Sequence, residues 1–248
     1  MSRFAIVIPS RYASTRLPGK PLRQINGKTM LQHVHERAAE SRASSIVIAT
    51  DDERIAEAAE QFGAEVCMTG AHHRSGTERI AEVADLMDRE DDRVVVNLQG
   101  DEPAMPAGLI DPCAELLNTG TADIATLASP LASAADFENP NVVKVIRNLA
   151  GDAIYFSRAA IPHPRDAGAG AIAQATALHH HGIYAYRCGV LRRFVAAEPS
   201  DLEVCEQLAQ LRALSLGMTI CVGVASERPG AGVDTEEDLV AVAAQLAG

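Results

Sequence analysis

The sequence predicts an α/β fold: a mostly parallel sheet with helices on both faces and an inserted β-rich portion. Three observations carry this expectation. Short apolar runs alternate with segments of helical period as far as about residue 128. Those runs, RVVVNL at 93–98 above all, are apolar throughout, the pattern of strands covered on both faces. Beyond residue 128 the rhythm changes to closely spaced strand-like runs joined by turn residues.

Taken in order, RFAIVIP (3–9) is a short, continuous, apolar strand stopped by Pro9. Met30, Leu31, Val34 and Ala38 mark one face of a helix running from Thr29 to about Ser41. SIVIAT (45–50) is a second buried strand, after which Thr50 and Glu53 form a capping box for a helix over 51–62. AEVC (64–67) is a third strand, followed by a helix from Gly76 to Asp88, the strand at 93–98, a helix at 107–118 and the strand ADIATLA at 122–128. NVVKVIRN (141–148) and AIYFS (153–157) flank the turn NLAGD and read as a hairpin. PHPRDAGAGAIAQAT (162–176), full of Pro, Gly and Ala, reads as a mobile loop. GIYAYR (182–187) is a strand, with helices expected near 189–196 and 202–214, a strand at TICVGVA (219–225) and a closing helix from Thr235. There are no internal repeats. The whole chain, 1–248, is expected to form one domain, with residues of about 129–218 inserted between 1–128 and 219–248.

Composition narrows the function classes. The formal net charge is −11, and only 4% of residues are aromatic, with no Trp. A phosphate-backbone footprint and a base-stacking surface are both missing, so no nucleic-acid partner is expected. Five scattered cysteines without a C-x-x-C pair point to a reducing, cytoplasmic setting rather than a disulfide framework. The apolar run near the N-terminus is six residues long, too short for a signal-peptide core. No apolar stretch reaches the roughly 18 residues of a spanning helix, so no membrane insertion is expected.

Against that acidic background the opening loop stands out. SRYASTRLPGK (10–20) carries Arg11, Arg16 and Lys20, and the chain places Arg3, Arg23 and Lys28 as well before its first acid, Glu36. Beyond the carboxyl end of a central strand, such a loop would clamp phosphate oxygens, with hydroxyls such as that of Ser14 completing the cradle. A solvated basic loop is the alternative, and the absence of acids across 35 residues argues against it. The loop is not a Walker A motif: the first Gly required by GKT at 27–29 would fall on Leu22. No G-x-G-x-x-G follows a predicted strand either.

Carboxylates complete the pattern. VVVNLQGDEP (94–103) ends a buried strand in Asn97, Gln99, Asp101 and Glu102. A carboxylate there can hold a hard cation against phosphate oxygens, and Asp101 is assigned that role over a mere turn cap. In GVDTEEDL (232–239), Asp234 is a good helix N-cap with Glu237 at the capping-box position. Paired with Asp101, it becomes the second metal ligand, since Mg2+ commonly takes one or two carboxylates plus substrate phosphates. HHRSGTER (72–79) brings Arg74 and Arg79 to a helix start that Ser75 and Glu78 would cap. In HHHGIY (179–184) three adjacent histidines cannot all face one point, so a conventional zinc site is not expected and at most one of them, His181, is expected to reach a ligand.

Together, IPSRYASTRLPGKPL, ATDDERI, HRSGTERIAEV, VNLQGDEP, YFSRAAIP, HHGIYAYR and PGAGVDTEEDL resemble the 3-deoxy-manno-octulosonate cytidylyltransferase (CMP-KDO synthetase) family, in order and over essentially the whole chain. The resemblance implies a Rossmann-like nucleotidyltransferase fold, a homodimer, and transfer of CMP from CTP to 3-deoxy-D-manno-octulosonate (KDO) with release of pyrophosphate, for lipopolysaccharide biosynthesis. It implies that Arg11, Ser14, Arg16 and Lys20 hold the triphosphate, with Arg11, Arg16, Lys20 and Asp101 catalytic. Asp101 and Asp234 would ligate Mg2+, Ser75 and Arg79 would recognise the cytidine side, and Gln99, His181, Tyr186 and Gln210 would line the sugar pocket. The nucleotide part would be about 1–128 plus 219–248, and the sugar-binding and dimerisation part about 129–218.

Two positions depart from the family pattern. LAQLR places Ala209 where the family usually has a carboxylate (LEQLR), and His163 stands where Trp is frequent. Both fall in the sugar half. They leave open an acceptor such as sialic acid or 8-amino-KDO. A non-catalytic sugar-nucleotide-binding protein is a further alternative, opposed by the presence of Lys20, Asp101 and Asp234 together.

Overall fold

A computed structural model describes residues 4–247 except Thr15, Ala167, Ala169 and Ala231. Arg3, counted among the early cations, lies outside the described residues, as do two positions of the expected 162–176 loop.

Strands β1 (Phe4–Ser10), β4 (Ser45–Thr50), β5 (Glu65–Met68) and β6 (Val94–Asn97) form a parallel block in the order β6-β1-β4-β5. β10 (Leu178–Arg187) runs antiparallel between β6 and β7 (Ile124–Pro130), and β11 (Ile220–Val224) closes the edge parallel to β7. The hairpin β8 (Lys144–Arg147) and β9 (Ala153–Ser157) pairs onto β10 and supplies the inserted β-rich portion. The small hairpin β2 (Gln24–Ile25) and β3 (Lys28–Thr29) stands apart. Its turn, Asn26-Gly27, has positive φ at both residues (48° and 84°), the backbone that a two-residue hairpin requires. The sequence expectation contained no such hairpin, although Asn-Gly was its signal.

Period-two alternation along the central strands builds both cores. Ile6 and Ile8 of β1 point to one face, packing with Leu31, Val34 and Ile48; Val7 points to the other with Ile80, Val83 and Leu191. Helices α1 (Met30–Ala39), α2 (Glu53–Gln61) and α4 (Ile110–Thr119) cover the first face. Helices α3 (Gly76–Leu86), α7 (Cys188–Val195) and α9 (Gln210–Ser215) cover the second. α10 (Glu236–Gln245) packs Leu239 and Val242 against Leu17, Ile25 and Met30, pressing the C-terminal helix onto the basic opening loop.

Several local expectations are corrected. Residues 170–176 form helix α6 (Gly170–Thr176) rather than loop, its Ala173 packed with Phe137 and Ala177. Segment 202–214 is two helices, α8 (Asp201–Glu206) and α9, because Gln207 turns into the left-handed region (φ 53°) between them. Thr50 ends β4, and Asp52 caps α2 by accepting from the Arg54 amide. The cap of α10 is Thr235, in a reciprocal capping box with Asp238, and not Asp234 with Glu237. That shift by one residue frees the Asp234 carboxylate.

Candidate active site

β1 and β6 lie side by side with Val7 opposite Asn97, and the Leu98 amide donates to the Val7 carbonyl. Their carboxyl ends therefore release the loops 10–20 and 98–103 from the same point of the sheet, where an open α/β sheet gathers ligands. Gly100 makes the approach possible, since a Cβ there would meet Ser10 Oγ at 2.7 Å and the Pro9 carbonyl at 3.0 Å. Gly19, at φ +65°, lets the opening loop turn back so that its amide reaches the Tyr12 carbonyl, beneath the Tyr12 ring. Arg54, held by Asp52, stacks on that ring with its guanidinium carbon 3.4 Å from the ring centroid.

These loops enclose a cleft of about 690 Å³. Arg11, Arg16, Lys20, Arg74, Arg79 and Arg158 line it, against the carboxylates of Asp101 and Asp234. The two carboxylates converge on one ammonium. Lys20 Nζ donates to Asp101 Oδ2 at 2.6 Å, to Asp234 Oδ1 at 3.0 Å and to the Val233 carbonyl at 3.0 Å. Arg16 reaches the second oxygen of Asp234 at 3.0 Å. The backbone secures the convergence, with the Val233 amide donating to the Asp101 carbonyl. Burial disfavours the Lys20 ammonium, but the charges and hydrogen bonds of Asp101 and Asp234 outweigh it and raise its pKa. Arg11 is exposed and forms no ion pair among the described residues. Next to Asp101, the Glu102 carboxyl lies against Gly182, and burial followed by the Asp101 charge pushes its pKa up to about 8.

The remaining cleft residues are more tightly engaged. Ser75 caps α3, its hydroxyl accepting from the Glu78 amide at 3.2 Å, while Glu78 turns to the Arg74 amide instead of closing a capping box. Ser14 accepts from the Leu17 amide at 3.3 Å. Arg79 is buried, donating to Thr69 Oγ1 and pairing with Asp51 at 3.2 Å. The Arg158 guanidinium donates to the carbonyls of Glu206 and Pro140 and forms no ion pair among the described residues, while its backbone amide donates to Glu206 Oε2 at 2.7 Å.

Behind the cleft lies a second cavity of about 240 Å³. Gln99 is the one described residue that lines both. Asn97, Tyr184, Tyr186, His180 and Gln210 contribute to its wall. Asn97 Oδ1 and the Tyr184 hydroxyl are buried without a hydrogen-bond partner among the described residues, a state that a polar ligand would relieve.

A family model described as Cytidylyltransferase matches residues 5–220. The chain belongs to the cytidylyltransferase family. Among solved structures, this cytidylyltransferase is similar to a CMP:2-keto-3-deoxy-manno-octonic acid synthetase solved in complex with CTP, with 41% identity, TM-score 0.91 and 99% of each chain covered. A cytidylyltransferase from Leptospira borgpetersenii serovar Hardjo-bovis (strain JB197) shares the fold at 18% identity and TM-score 0.64, over 100% of this chain and 87% of that one. A 4-diphosphocytidyl-2C-methyl-D-erythritol synthase shares it at 16% identity and TM-score 0.65, over 99% and 100%. The resemblance read from the motifs thus extends over the whole chain, and the Rossmann-like nucleotidyltransferase architecture holds.

In this cytidylyltransferase the cleft brings together Arg11, Ser14, Arg16, Lys20, Ser75, Arg79, Gln99, Asp101 and Asp234, while Gln99, Tyr186 and Gln210 meet in the second cavity. His181 does not join them. Its Nε2 lies 3.0 Å from Ser129 Oγ, inside the protein. Strand parity is the reason: His180, Gly182, Tyr184 and Tyr186 share one face of β10, and the shift of pairing from His181–Leu127 to Tyr184–Thr126 moves the register by two residues, which preserves that parity. His180 is therefore the histidine on the wall. Sequence reasoning also missed Arg158 and Gln207 of the cleft and Asn97 and Tyr184 of the cavity as ligand-facing. Counting by twos from Tyr186 would have found Tyr184 and His180; nothing local marked Arg158.

Proposed function

We propose that this chain transfers CMP from CTP to KDO, giving CMP-KDO and pyrophosphate for lipopolysaccharide biosynthesis. The observation that carries the reading is the convergence of Asp101 and Asp234 on Lys20 inside a cation-lined cleft, joined through Gln99 to an uncharged polar cavity. The likeness to the synthetase complexed with CTP supports CTP as the donor.

The triphosphate lies against Arg11, Arg16 and Lys20, with Ser14 and the loop amides beside them. Arg79 and Ser75 face the cytidine side. The sugar occupies the second cavity, with Gln99, Tyr186 and Gln210 orienting its hydroxyls. The donor set fits Mg2+: two carboxylates, 39% and 47% exposed, offer hard oxygens at one point and leave its other ligands to phosphate and water. Bound there, Mg2+ would neutralise phosphate charge and lower the pKa of the attacking hydroxyl.

The chain's own contribution is alignment and charge. The anomeric oxygen of KDO attacks the α-phosphorus, and the bond from that phosphorus to the bridging oxygen breaks, so that pyrophosphate leaves in line. No covalent enzyme intermediate is needed. Lys20, Arg11 and Arg16 stabilise the charge that develops on the phosphoryl oxygens. Lys20, which in this structure donates to both carboxylates, would be freed for this task by a cation held between them. The cytoplasmic setting is supported by five cysteines that are all free, and no described helix is long and apolar enough to cross a membrane. The homodimer rests on the family resemblance alone. The test is pyrophosphate release from CTP and Mg2+ with KDO, sialic acid or no sugar. Release with KDO alone is expected, and release with sialic acid but not KDO would overturn the acceptor.

A further inference from the structure

We propose that Glu206 is a positioning residue: it fixes Arg158 so that the guanidinium stands in the cleft as an unneutralised cation, ready for an oxyanion of a bound substrate. The inference rests on the reading above and adds to it a residue outside the cleft wall.

Arg158 follows directly on β9, and both of its peptide groups are held. Its amide donates to Glu206 Oε2 at 2.7 Å, and its carbonyl accepts from Lys144 Nζ at 2.6 Å. Lys144 is fully buried and gives its other bonds to the Asn139 and Val142 carbonyls. The second oxygen of Glu206 accepts from Ser157 Oγ at 2.7 Å, one residue before Arg158. Carbonyls then steer the side chain, with Nε donating to Glu206 at 2.8 Å and Nη1 to Pro140 at 3.1 Å. Nη2 has no partner among the described residues.

Carbonyls orient a guanidinium without cancelling its charge. This separates Arg158 from its neighbours in the cleft. Arg16 is paired with Asp234, Arg79 with Asp51, and Arg74 lies 3.6 Å from Glu78. Arg11 is unpaired too, but it is exposed. A charged donor that is already held loses little to reorganisation when a negative group arrives. Core packing does not account for the placement of Glu206, because α8 buries none of its residues. Polar bonds hold that helix instead: Ser200 caps it, Arg212 grips Glu203 through both oxygens, and Glu206 ties its end to β9. The next residue, Gln207, lines the cleft in the left-handed backbone region (φ 53°), which a side chain adopts at a cost.

The experiment is a double-mutant cycle on pyrophosphate release with CTP, Mg2+ and KDO. It compares the wild type, Glu206→Ala, Arg158→Ala and both together, with Glu206→Gln alongside and thermal melts to establish folding. Arg158→Ala should lower kcat/KM by about a hundredfold, and Glu206→Ala by about tenfold through the same kinetic constant. The double variant should fall no more than about twofold below Arg158→Ala, because Glu206 acts through that side chain. Glu206→Gln can still accept from the Arg158 amide and donate to Ser157 Oγ, so it should stay within about threefold of the wild type. A shared rise in KM for KDO assigns the oxyanion to the acceptor's carboxylate. A shared rise in KM for CTP, or a shared fall in kcat, assigns it to the phosphates. Additive losses, about a thousandfold in the double variant, would overturn the inference. So would losses that fall on different constants, or a Gln variant as impaired as the Ala variant. If Glu206→Ala is unfolded at the assay temperature, Glu206→Asp, one methylene shorter, carries the same cycle. A wild type that releases no pyrophosphate with KDO would instead overturn the proposed function on which the inference stands.

Discussion

Replacing Lys20 by Met is expected to strengthen divalent-cation binding to the free protein while removing most turnover. In the structure the ammonium holds the point between the two carboxylates, 2.6 Å from Asp101 and 3.0 Å from Asp234. A divalent cation drawn to the same oxygens must face that positive charge. Two unit charges about 4 Å apart interact by about 1 kcal/mol in water, so a divalent ion feels about 2 kcal/mol. The water value sets the lower bound, because the carboxylates are 39% and 47% exposed while the Lys20 side chain is only 14% exposed. Two kcal/mol corresponds to roughly a 30-fold change in affinity. Lys20→Met keeps most of the aliphatic stem and removes the charge together with the three hydrogen bonds that the ammonium donates. Mn2+, titrated by electron paramagnetic resonance without nucleotide, reports the affinity directly, and a thermal melt establishes that the variant is folded. Turnover should fall by about a hundredfold or more, since the charge on the phosphoryl oxygens is then less well stabilised. Unchanged or weaker Mn2+ binding in the folded variant would refute the idea that Lys20 occupies the cation's place.

The other predictions address the carboxylates, the buried histidines and the loop scaffold. Asp101→Asn and Asp234→Asn should each lose most activity while keeping their circular dichroism, because each removes ligand charge and no core packing; near-normal rates at saturating Mg2+ would remove that residue from the metal site. Burial lowers the pKa of His181 to about 4, below its ordinary 6.5. The unfolded chain therefore binds more protons between those values, and stability is complete above pH 6.5 and lost as the pH falls. His181 alone should make the fold about 2 kcal/mol less stable at pH 5 than at pH 7, measured by urea unfolding, and His181→Asn should reduce that dependence without abolishing it, because buried His180, its pKa lowered to about 3, acts in the same direction. Arg54→Ala removes the cation stacked on Tyr12 and should raise the KM for CTP about two- to fivefold through a looser basic loop, with kcat changed less. A kcat loss at unchanged KM would contradict a positioning role.

The sequence alone determined the α/β class, the central strands and the two halves of the cleft, because these depend on local signals. Continuous apolar runs can be buried only on both faces, and a basic loop free of acids over 35 residues in a chain of net charge −11 is informative before any folding is considered. The motifs also carried the family. Tertiary structure decided what lies between segments distant in the chain. Asp101 and Asp234 are 133 positions apart, and only the packing of α10 on the opening loop and the Val233–Asp101 backbone bond bring both to Lys20. Which residue caps α10 mattered as much. Thr235 and Asp238 satisfy the helix start, and Asp234 is thereby free to turn inward. The histidine run could be narrowed to one ligand-facing residue by elementary geometry, but choosing His180 over His181 required the phase of β10, which is set by its pairing with β6 and β7. Arg158 enters the cleft from beyond the hairpin, held by carbonyls of residues far from it in sequence, and no local pattern encodes that meeting.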